Sequence, residues 1–157
     1  MLFLLFRVGK EHYALEAGRV IEVVPCVPLR AHPGTPGYVA GLFNYRGGIV
    51  PALDLGVLAG GARCAGKLST RIILIDYQVK DGARRVLGLI AEAVTDAIKK
   101  DASEFASAGV AAEKAPYLGK IAFDEHGMVQ CVRVEQLVPA DVEKLLFVEE
   151  KNESPAR

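Results

Sequence analysis

The stretch that decides the fold covers residues 38–58 and reads YVAGLFNYRGGIVPALDLGVL. Two apolar, β-rich segments flank a polar centre, in which Asn44, Tyr45 and Arg46 are followed by Gly47-Gly48. Glycine permits the positive φ angles of tight turns, and the short amide of asparagine can bond to nearby backbone groups. The stretch therefore predicts a turn that presents Tyr45 and Arg46 at its tip.

Two residues after this turn predict where the strand ends and where a short helix begins. Pro51 cannot donate a hydrogen bond to a neighbouring strand, which favours an edge or the end of a strand. Asp54 is expected to cap a short helical turn that extends through Leu58. We assign a structural role in and around the turn to Gly41, Asn44, Gly47, Pro51 and Asp54.

Composition bounds the class of protein. A chain of 157 residues suits one domain, or two small halves that share a core, and 51% hydrophobic with 24% charged residues is a globular composition. Nineteen basic and nineteen acidic residues cancel, so no net charge attracts nucleic acid or an anionic membrane. The apolar run at residues 2–6 is too short for a signal peptide, and no stretch approaches the roughly 18 residues that span a bilayer. We expect a cytoplasmic protein without direct membrane insertion and without a nucleic-acid partner.

The flanking sequence predicts an all-β fold. Segments rich in β-branched and aromatic residues alternate with glycine and proline turns, which predicts hairpins at residues 3–16, 70–91 and 117–134. Residues 92–98 continue as a strand or form two helical turns, and periodicity does not decide between these. Helical spacing after Pro139 predicts a terminal helix. The pattern is typical of a β-barrel or sandwich closed by one C-terminal helix.

The connecting segments carry further expectations. Residues 26–36 contain three prolines and are expected to cross the fold as an extended loop, followed by one helical turn at 36–40. Residues 59–69 are small and glycine-rich, and predict a mobile surface loop or a joint between two halves. We expect a single domain over residues 1–150 and a frayed tail over 151–157.

One segment partly matches a phosphate-binding loop. Residues 61–67, GARCAGK, fit the pattern G-x-x-x-x-G-K, but Leu68 stands where the serine or threonine that holds Mg²⁺ belongs. The chain then continues as a strand, whereas a nucleotide-binding loop opens a helix. A loop without a nucleotide explains the segment better.

Residue types that carry catalysis or hold metals are scattered along the chain. The histidines lie in separate predicted loops, the cysteines are widely spaced, and the acidic residues are explained as caps or ion-pair partners. These sets are His12, His32 and His126; Cys26, Cys64 and Cys131; and Asp54, Glu92 and Asp96. We therefore assign no catalytic, cofactor or metal site.

Arg46 allows two interpretations. Its planar guanidinium suits a two-pronged contact with a carboxylate of a partner. Alternatively, it forms an internal pair with Asp54 or Glu22 that fixes the turn. A set of apolar residues also allows two interpretations. These residues form a groove for a partner helix or, as is more usual for such residues, pack in the core. This set is Val20, Leu42, Leu87, Leu89 and Val94.

The central stretch resembles the signature of the CheW-like coupling proteins of bacterial chemosensory arrays, G-x-x-N-x-R-G-x-x-x-P-x-x-D-L. The matching residues are Gly41, Asn44, Arg46, Gly47, Pro51, Asp54 and Leu55. The segments FLLFRVGKEHYAL, RVIEVV and VLGLIAEAVTDAI are also similar to the corresponding segments of that family and follow in the same order. The resemblance covers residues 3–146.

The resemblance implies two small five-stranded SH3-like barrels packed around a shared apolar core, with no cofactor. It also implies an adaptor, not an enzyme, that joins the regulatory domain of a histidine kinase to the cytoplasmic tip of a chemoreceptor in membrane-associated arrays. The partner contacts that it implies by position are Val20, Glu22, Arg46, Gly88 and Val94. The alternative is a small-ligand-binding β-barrel module or, less favoured, an enzyme whose pocket forms only in the fold.

Three departures from the family pattern bear on the partner and not on the fold. Tyr45 replaces the usual small aliphatic residue, Glu92-Ala93 stands where aspartate and glycine are common, and residues 99–116 are alanine-rich with no matching motif. A few contact residues can reset specificity, because specificity is a difference between affinities. The departures favour a specialised array, such as one that governs surface behaviour, over flagellar chemotaxis.

Overall fold

The computed structural model describes residues 1–125 and 127–148, which form mainly β-strands. The strands are β1 (Leu2–Val8), β2 (Glu11–Glu16), β3 (Val20–Pro25), β4 (Val39–Tyr45), β5 (Gly48–Asp54), β6 (Arg71–Gln78), β7 (Arg84–Lys99), β8 (Leu118–Asp124) and β9 (Gly127–Val132). The helices are α1 (Leu55–Leu58) and α2 (Ala140–Leu146). The prediction of an all-β fold with a C-terminal helix is confirmed. His126 and the tail expected to fray lie outside the described residues.

The strands form two groups that share β7. One group has the order β4-β5-β7-β6-β3, and the other has the order β7-β1-β2-β9-β8. The β5–β7 and β2–β9 pairings are parallel and the other pairings are antiparallel. Counting β7 in both, each group contains five strands, as the resemblance implies. Closure of each group into a barrel stays a prediction.

The sixteen residues of β7 resolve the ambiguity at residues 92–98, because they continue as a strand. Its first half pairs with β6 from Arg84 to Ala91, and its second half pairs with β1 up to Lys99. The register with β1 shifts at this change of partner, and Ala93 there has a φ of 50°. Such a bulge bends a strand and increases its twist. The bend lets one strand serve both groups.

The main apolar core lies between the two groups. It joins Phe6 and Leu15 of one group to Leu53, Ile73 and Leu89 of the other. Residues that follow β9 and residues of α2 close one side of it, including Val134, Leu137, Val138 and Val142. A shared core is therefore present, as expected.

The helical turn expected at residues 36–40 is wrong. Val39 N–H donates to the Pro36 carbonyl over 2.9 Å, which closes a β-turn, and β4 begins at Val39 because this residue already pairs with Leu53 of β5. The crossing loop before it exchanges two backbone hydrogen bonds between Arg30 and Leu42, of 2.9 and 2.8 Å. Strand pairing therefore outweighs the local preference for a helical turn.

The C-terminal helix is anchored to the sheet through a buried carboxylate. Glu143 of α2 accepts hydrogen bonds from the Tyr77 hydroxyl over 2.7 Å and from the Lys80 backbone N–H over 2.8 Å. The Lys80 ammonium adds an ion pair at 3.5 Å, and the Phe147 ring stacks on Tyr77 with centroids 5.6 Å apart. Burial raises the pKa of Glu143, but these hydrogen bonds and the Lys80 charge outweigh burial and lower it overall. The helix is thus held best when Glu143 is ionised.

Replacing Ala93 with glycine is expected to stabilise the protein by about 0.5–1 kcal/mol, because relief of the left-handed backbone exceeds the added entropy of the unfolded chain. Urea denaturation measures this free energy of unfolding. Ala97→Gly in the same strand is the matched control, since position 97 has no positive φ, and it is expected to destabilise. Equal destabilisation by both variants would contradict the strain at Ala93.

Tyr77→Phe is expected to lower the free energy of unfolding by about 1–2 kcal/mol at pH 7, because the buried Glu143 carboxylate loses a hydrogen bond. The pKa of Glu143 is lower in the folded chain than its ordinary 4.5, so this stabilisation is present above pH 4.5 and is lost as pH falls through the folded value. Urea midpoints between pH 7 and pH 3 should converge for the two proteins. Tyr117→Phe is the control, and a difference that does not change with pH would refute the charged anchor.

Candidate functional site

The predicted turn is a two-residue hairpin connection. Tyr45 of β4 pairs with Gly48 of β5, and between them Arg46 and Gly47 have φ angles of 52° and 83°. Two positive φ angles in a two-residue loop are typical of a type I′ turn, whose twist suits a β-hairpin. The Asn44 side-chain oxygen accepts a hydrogen bond from the Gly47 N–H over 2.9 Å. Arg46 is thereby held at the tip in a conformation that non-glycine residues rarely adopt.

The structure shows the internal pair expected for Arg46, and the contact with a partner stays a prediction. Its Nη2 lies 3.0 Å from Oε1 of Glu22, so the internal partner is Glu22 and not Asp54. The same oxygen accepts a hydrogen bond from the Tyr45 hydroxyl, and the guanidinium carbon lies 5.3 Å from the centroid of the Tyr45 ring. The Arg46 side chain is nevertheless 75% exposed. An ion pair this exposed contributes little to stability.

The charges of this cluster follow from its contacts. The hydrogen bond from Tyr45 is the largest effect on Glu22, and together with the Arg46 charge it lowers the pKa of the carboxyl in spite of partial desolvation. The same hydrogen bond raises the pKa of the Tyr45 hydroxyl. Across the neutral range the cluster therefore contains one carboxylate, one guanidinium and one neutral phenol.

Asp54 acts inside the fold. Its side chain is buried and accepts hydrogen bonds from the N–H groups of Gly56 (2.9 Å), Val57 (3.2 Å) and Cys64 (3.2 Å). The first two bonds cap α1 as predicted, whereas the third crosses to the loop at residues 59–69. That loop is also attached to β7, since the Ala65 N–H donates to Glu92 Oε2 over 2.8 Å. The loop therefore connects the end of β5 to β7, which agrees with a joint between two halves. The alternative of a mobile loop did not take these long-range hydrogen bonds into account.

Gly41 and Pro51 lie within strands, outside the turn proper. A Cβ on Gly41 would lie 2.5 Å from the Arg30 carbonyl oxygen, so glycine allows the crossing loop to pair with β4. Pro51 sits in β5 one residue before the pairing with β7 begins at Ala52, where the missing N–H disturbs no bond to β7. Both have structural roles, but among the five residues to which a structural role was assigned only Asn44 and Gly47 contribute to the turn itself.

The five expected partner contacts divide by burial. Val20 is half-buried at the start of β3, and Glu22 and Arg46 reach the surface. Val94 is 2% exposed in the core, and a Cβ on buried Gly88 would lie 2.9 Å from Ile72 Cγ2. Neither residue is exposed to a partner, because Gly88 lies between β5 and β6 and Val94 lies in the main core. Their roles are in packing.

Most residues of the expected apolar groove are also buried. Leu87 and Leu89 are fully buried in the main core together with Val94, and Val20 packs against it. Leu42 alone of the set lines a surface groove of about 660 Å³, beside Tyr45, Ile49 and Phe147. Sequence reasoning placed Tyr45 at the tip of the turn and noted it as a departure from the family pattern, but missed its hydrogen bond to Glu22. Its contact with Glu22 joins residues 23 positions apart, and no local signal reveals it.

Within the described ranges, no group of three or more histidine, cysteine, aspartate or glutamate side chains is placed to hold a metal ion. Burial, reinforced by the Asp54 charge, raises the pKa of the Cys64 thiol to about 12, and burial raises that of Cys131 to about 11. A thiol that stays protonated is a poor nucleophile. Among the described helices, none has the length and apolar character needed to cross a membrane.

These features define a small β-protein with an exposed polar cluster at the tip of a hairpin. A family model, the CheW-like domain, matches residues 2–142, and the chain belongs to this family. The chain is 34% identical over 91 residues to the chemotaxis protein CheW of Rhizobium meliloti (strain 1021), covering 58% of this chain and 56% of that protein. It therefore spans little more than half the length of that relative.

Two further comparisons extend over most of the chain. The chemotaxis protein CheW of Klebsiella aerogenes is 28% identical over 154 residues, covering 94% of this chain and 82% of that protein. The crystal structure of the scaffolding protein TtCheW from Thermoanaerobacter tengcongensis superposes with a TM-score of 0.78 at 24% identity, covering 90% of this chain and 89% of that chain. The second likeness establishes the fold.

Asp54→Ala is expected to destabilise the protein by about 2–3 kcal/mol, because it removes the helix cap and leaves the Cys64 N–H without its acceptor. The free energy of unfolding in urea and the hydrogen exchange of the Cys64 amide measure the two effects. Asp81→Ala is the matched control, since Asp81 accepts one backbone bond in an exposed turn. An equal, small decrease in the free energy of unfolding in both variants would show that Asp54 does not hold the loop in place.

Proposed function

We propose that this protein is an adaptor that couples the cytoplasmic tip of a chemoreceptor to the regulatory domain of a histidine kinase. The observation that carries the proposal is the match of a CheW-like domain over residues 2–142. The similar proteins support the same role, because two are named as chemotaxis proteins and the structural neighbour is named as a scaffolding protein. We infer that the chain acts as one domain, by binding and without catalysis, at membrane-associated arrays on the cytoplasmic side.

The site supports this proposal through its chemistry. A coupler changes kinase activity only by binding the kinase's states with different affinities, which requires complementary surfaces and no reactive group. Arg46 and Glu22 offer an exposed cation and anion on a rigid hairpin and on the neighbouring β3, and Val20 adds an apolar contact on the same strand. Interface charges of this kind determine specificity and association rate. Tyr45 makes this surface different from one with a small aliphatic residue, in keeping with a specialised array.

Arg46→Ala is expected to keep the fold and to weaken binding of at least one partner about tenfold, through loss of charged hydrogen bonds. The measurement is titration calorimetry of the chain with the kinase regulatory domain and, separately, with the receptor tip from the same organism. Arg84→Ala is the matched control, because Arg84 is also exposed and ion-paired, 2.8 Å from Asp76. Undiminished binding of both partners by Arg46→Ala would exclude this site, and failure of the unmodified chain to bind either would exclude the adaptor role.

A further inference from the structure

We propose that Tyr45 is a positioning residue, which holds the Arg46 guanidinium ready to bind a carboxylate of a partner. The inference deepens the proposed function and rests on it for the identity of the partner. It concerns the cluster of Tyr45, Arg46 and Glu22 at the tip of the β4–β5 hairpin.

Arg46 is restrained at three places. Its backbone is fixed in the two-residue turn, in which the Gly47 N–H donates to the Asn44 side chain. Nη2 of its guanidinium donates to Glu22 Oε1, and the guanidinium lies over the Tyr45 ring. Tyr45 in turn fixes Glu22, since its hydroxyl donates to the same oxygen. A side chain that is already ordered loses less conformational entropy when it binds, so the restraint favours affinity.

The restrained guanidinium still has donors to offer. Arginine has five N–H donors in a planar fork, and within the described part of the chain Nη2 of Arg46 donates to Glu22. The side chain is 75% exposed, so donors of the fork remain accessible from the solvent. A carboxylate fits two parallel N–H donors of such a fork.

The charge of the cluster favours a singly charged ligand. The ionised Glu22 offsets the single positive charge of Arg46, so the cluster is close to neutral. A phosphate, with nearly two negative charges at neutral pH, would be repelled by Glu22 more strongly than a carboxylate. The chemistry therefore points to aspartate, glutamate or a chain terminus on the partner.

Tyr45 makes contacts that a smaller residue at this position could not make. Phenylalanine keeps the ring under the guanidinium but loses the hydroxyl bond to Glu22, and leucine loses both contacts. These two substitutions separate the restraint on Glu22 from the contact between ring and cation. Because Tyr45 acts through Arg46, neither substitution should change binding once Arg46 is alanine.

The first experiment uses acetate as the probe and needs no protein partner. The Nε–H signal of Arg46 in the ¹⁵N-labelled full chain is followed by nuclear magnetic resonance during titration with sodium acetate, with sodium chloride at equal ionic strength as the reference. A saturable shift is expected in the unmodified chain, about threefold weaker in Tyr45→Phe and weaker still in Tyr45→Leu. A response that is absent from the unmodified chain, or identical in all three proteins, overturns the inference.

The second experiment measures binding of the kinase regulatory domain and the receptor tip by Tyr45→Phe, Arg46→Ala and the double variant. For a partner that depends on Arg46, Tyr45→Phe should weaken binding severalfold in the unmodified background and have no effect beside Arg46→Ala. The same loss in both backgrounds would show that Tyr45 acts independently, which overturns the inference and leaves the adaptor role intact. Failure of both partners to bind, with a normal acetate response, overturns the adaptor role and leaves the carboxylate site standing.

Discussion

The structure depends on one strand that must complete the hydrogen bonding of two groups. The first half of β7 lies between β5 and β6, and its second half pairs with β1. In this first half β7 is paired at both edges and buried on both faces, because Leu87 and Leu89 lie in the main core and Ile90 lies in a second apolar cluster. Leu87 and Leu89 fill the shared core, while the face that carries Gly88 has room for no side chain beside Ile72 and Phe43. Ala93 adopts a positive φ, which is unfavourable for a non-glycine residue, at the point where β7 passes from one group to the other.

Hydrogen bonds connect the bend of β7 to the stretch that carries the candidate site. Asp54 ends the hairpin strand β5 and binds the N–H of Cys64, and the next residue along the loop donates to Glu92 beside the bend. The Ser69 carbonyl then accepts from the Val94 N–H over 2.9 Å. The loop thus connects the base of the hairpin to the bend of β7 through hydrogen bonds that its own backbone makes.

The parts of the fold and site that the sequence predicted correctly are those set by neighbouring residues. Asn44 and Gly47 specify the turn, and Asp54 specifies the cap, because each acts on backbone groups two or three positions away. The burial of Gly88 and Val94 depends on which strands lie beside β7, and the contact of Tyr45 with Glu22 depends on how β3 and the hairpin are placed. Neither relation has a periodic or local signal. The internal pair of Arg46 with Glu22 was one of the expected alternatives, whereas the contact of Arg46 with a partner stays a prediction.

The residues of the CheW-like signature therefore serve two different physical purposes. Gly41, Pro51 and Asp54 act through the backbone and the core, so their loss would reduce binding only by disturbing the hairpin. Arg46 stands apart, because its ion pair is exposed and its removal leaves no buried group without a partner. Loss of binding alone cannot distinguish these roles, whereas binding measured together with the free energy of unfolding can. For the proposed adaptor function, which requires a difference of affinities, a surface cluster that contributes little to stability allows partners to change without loss of the fold.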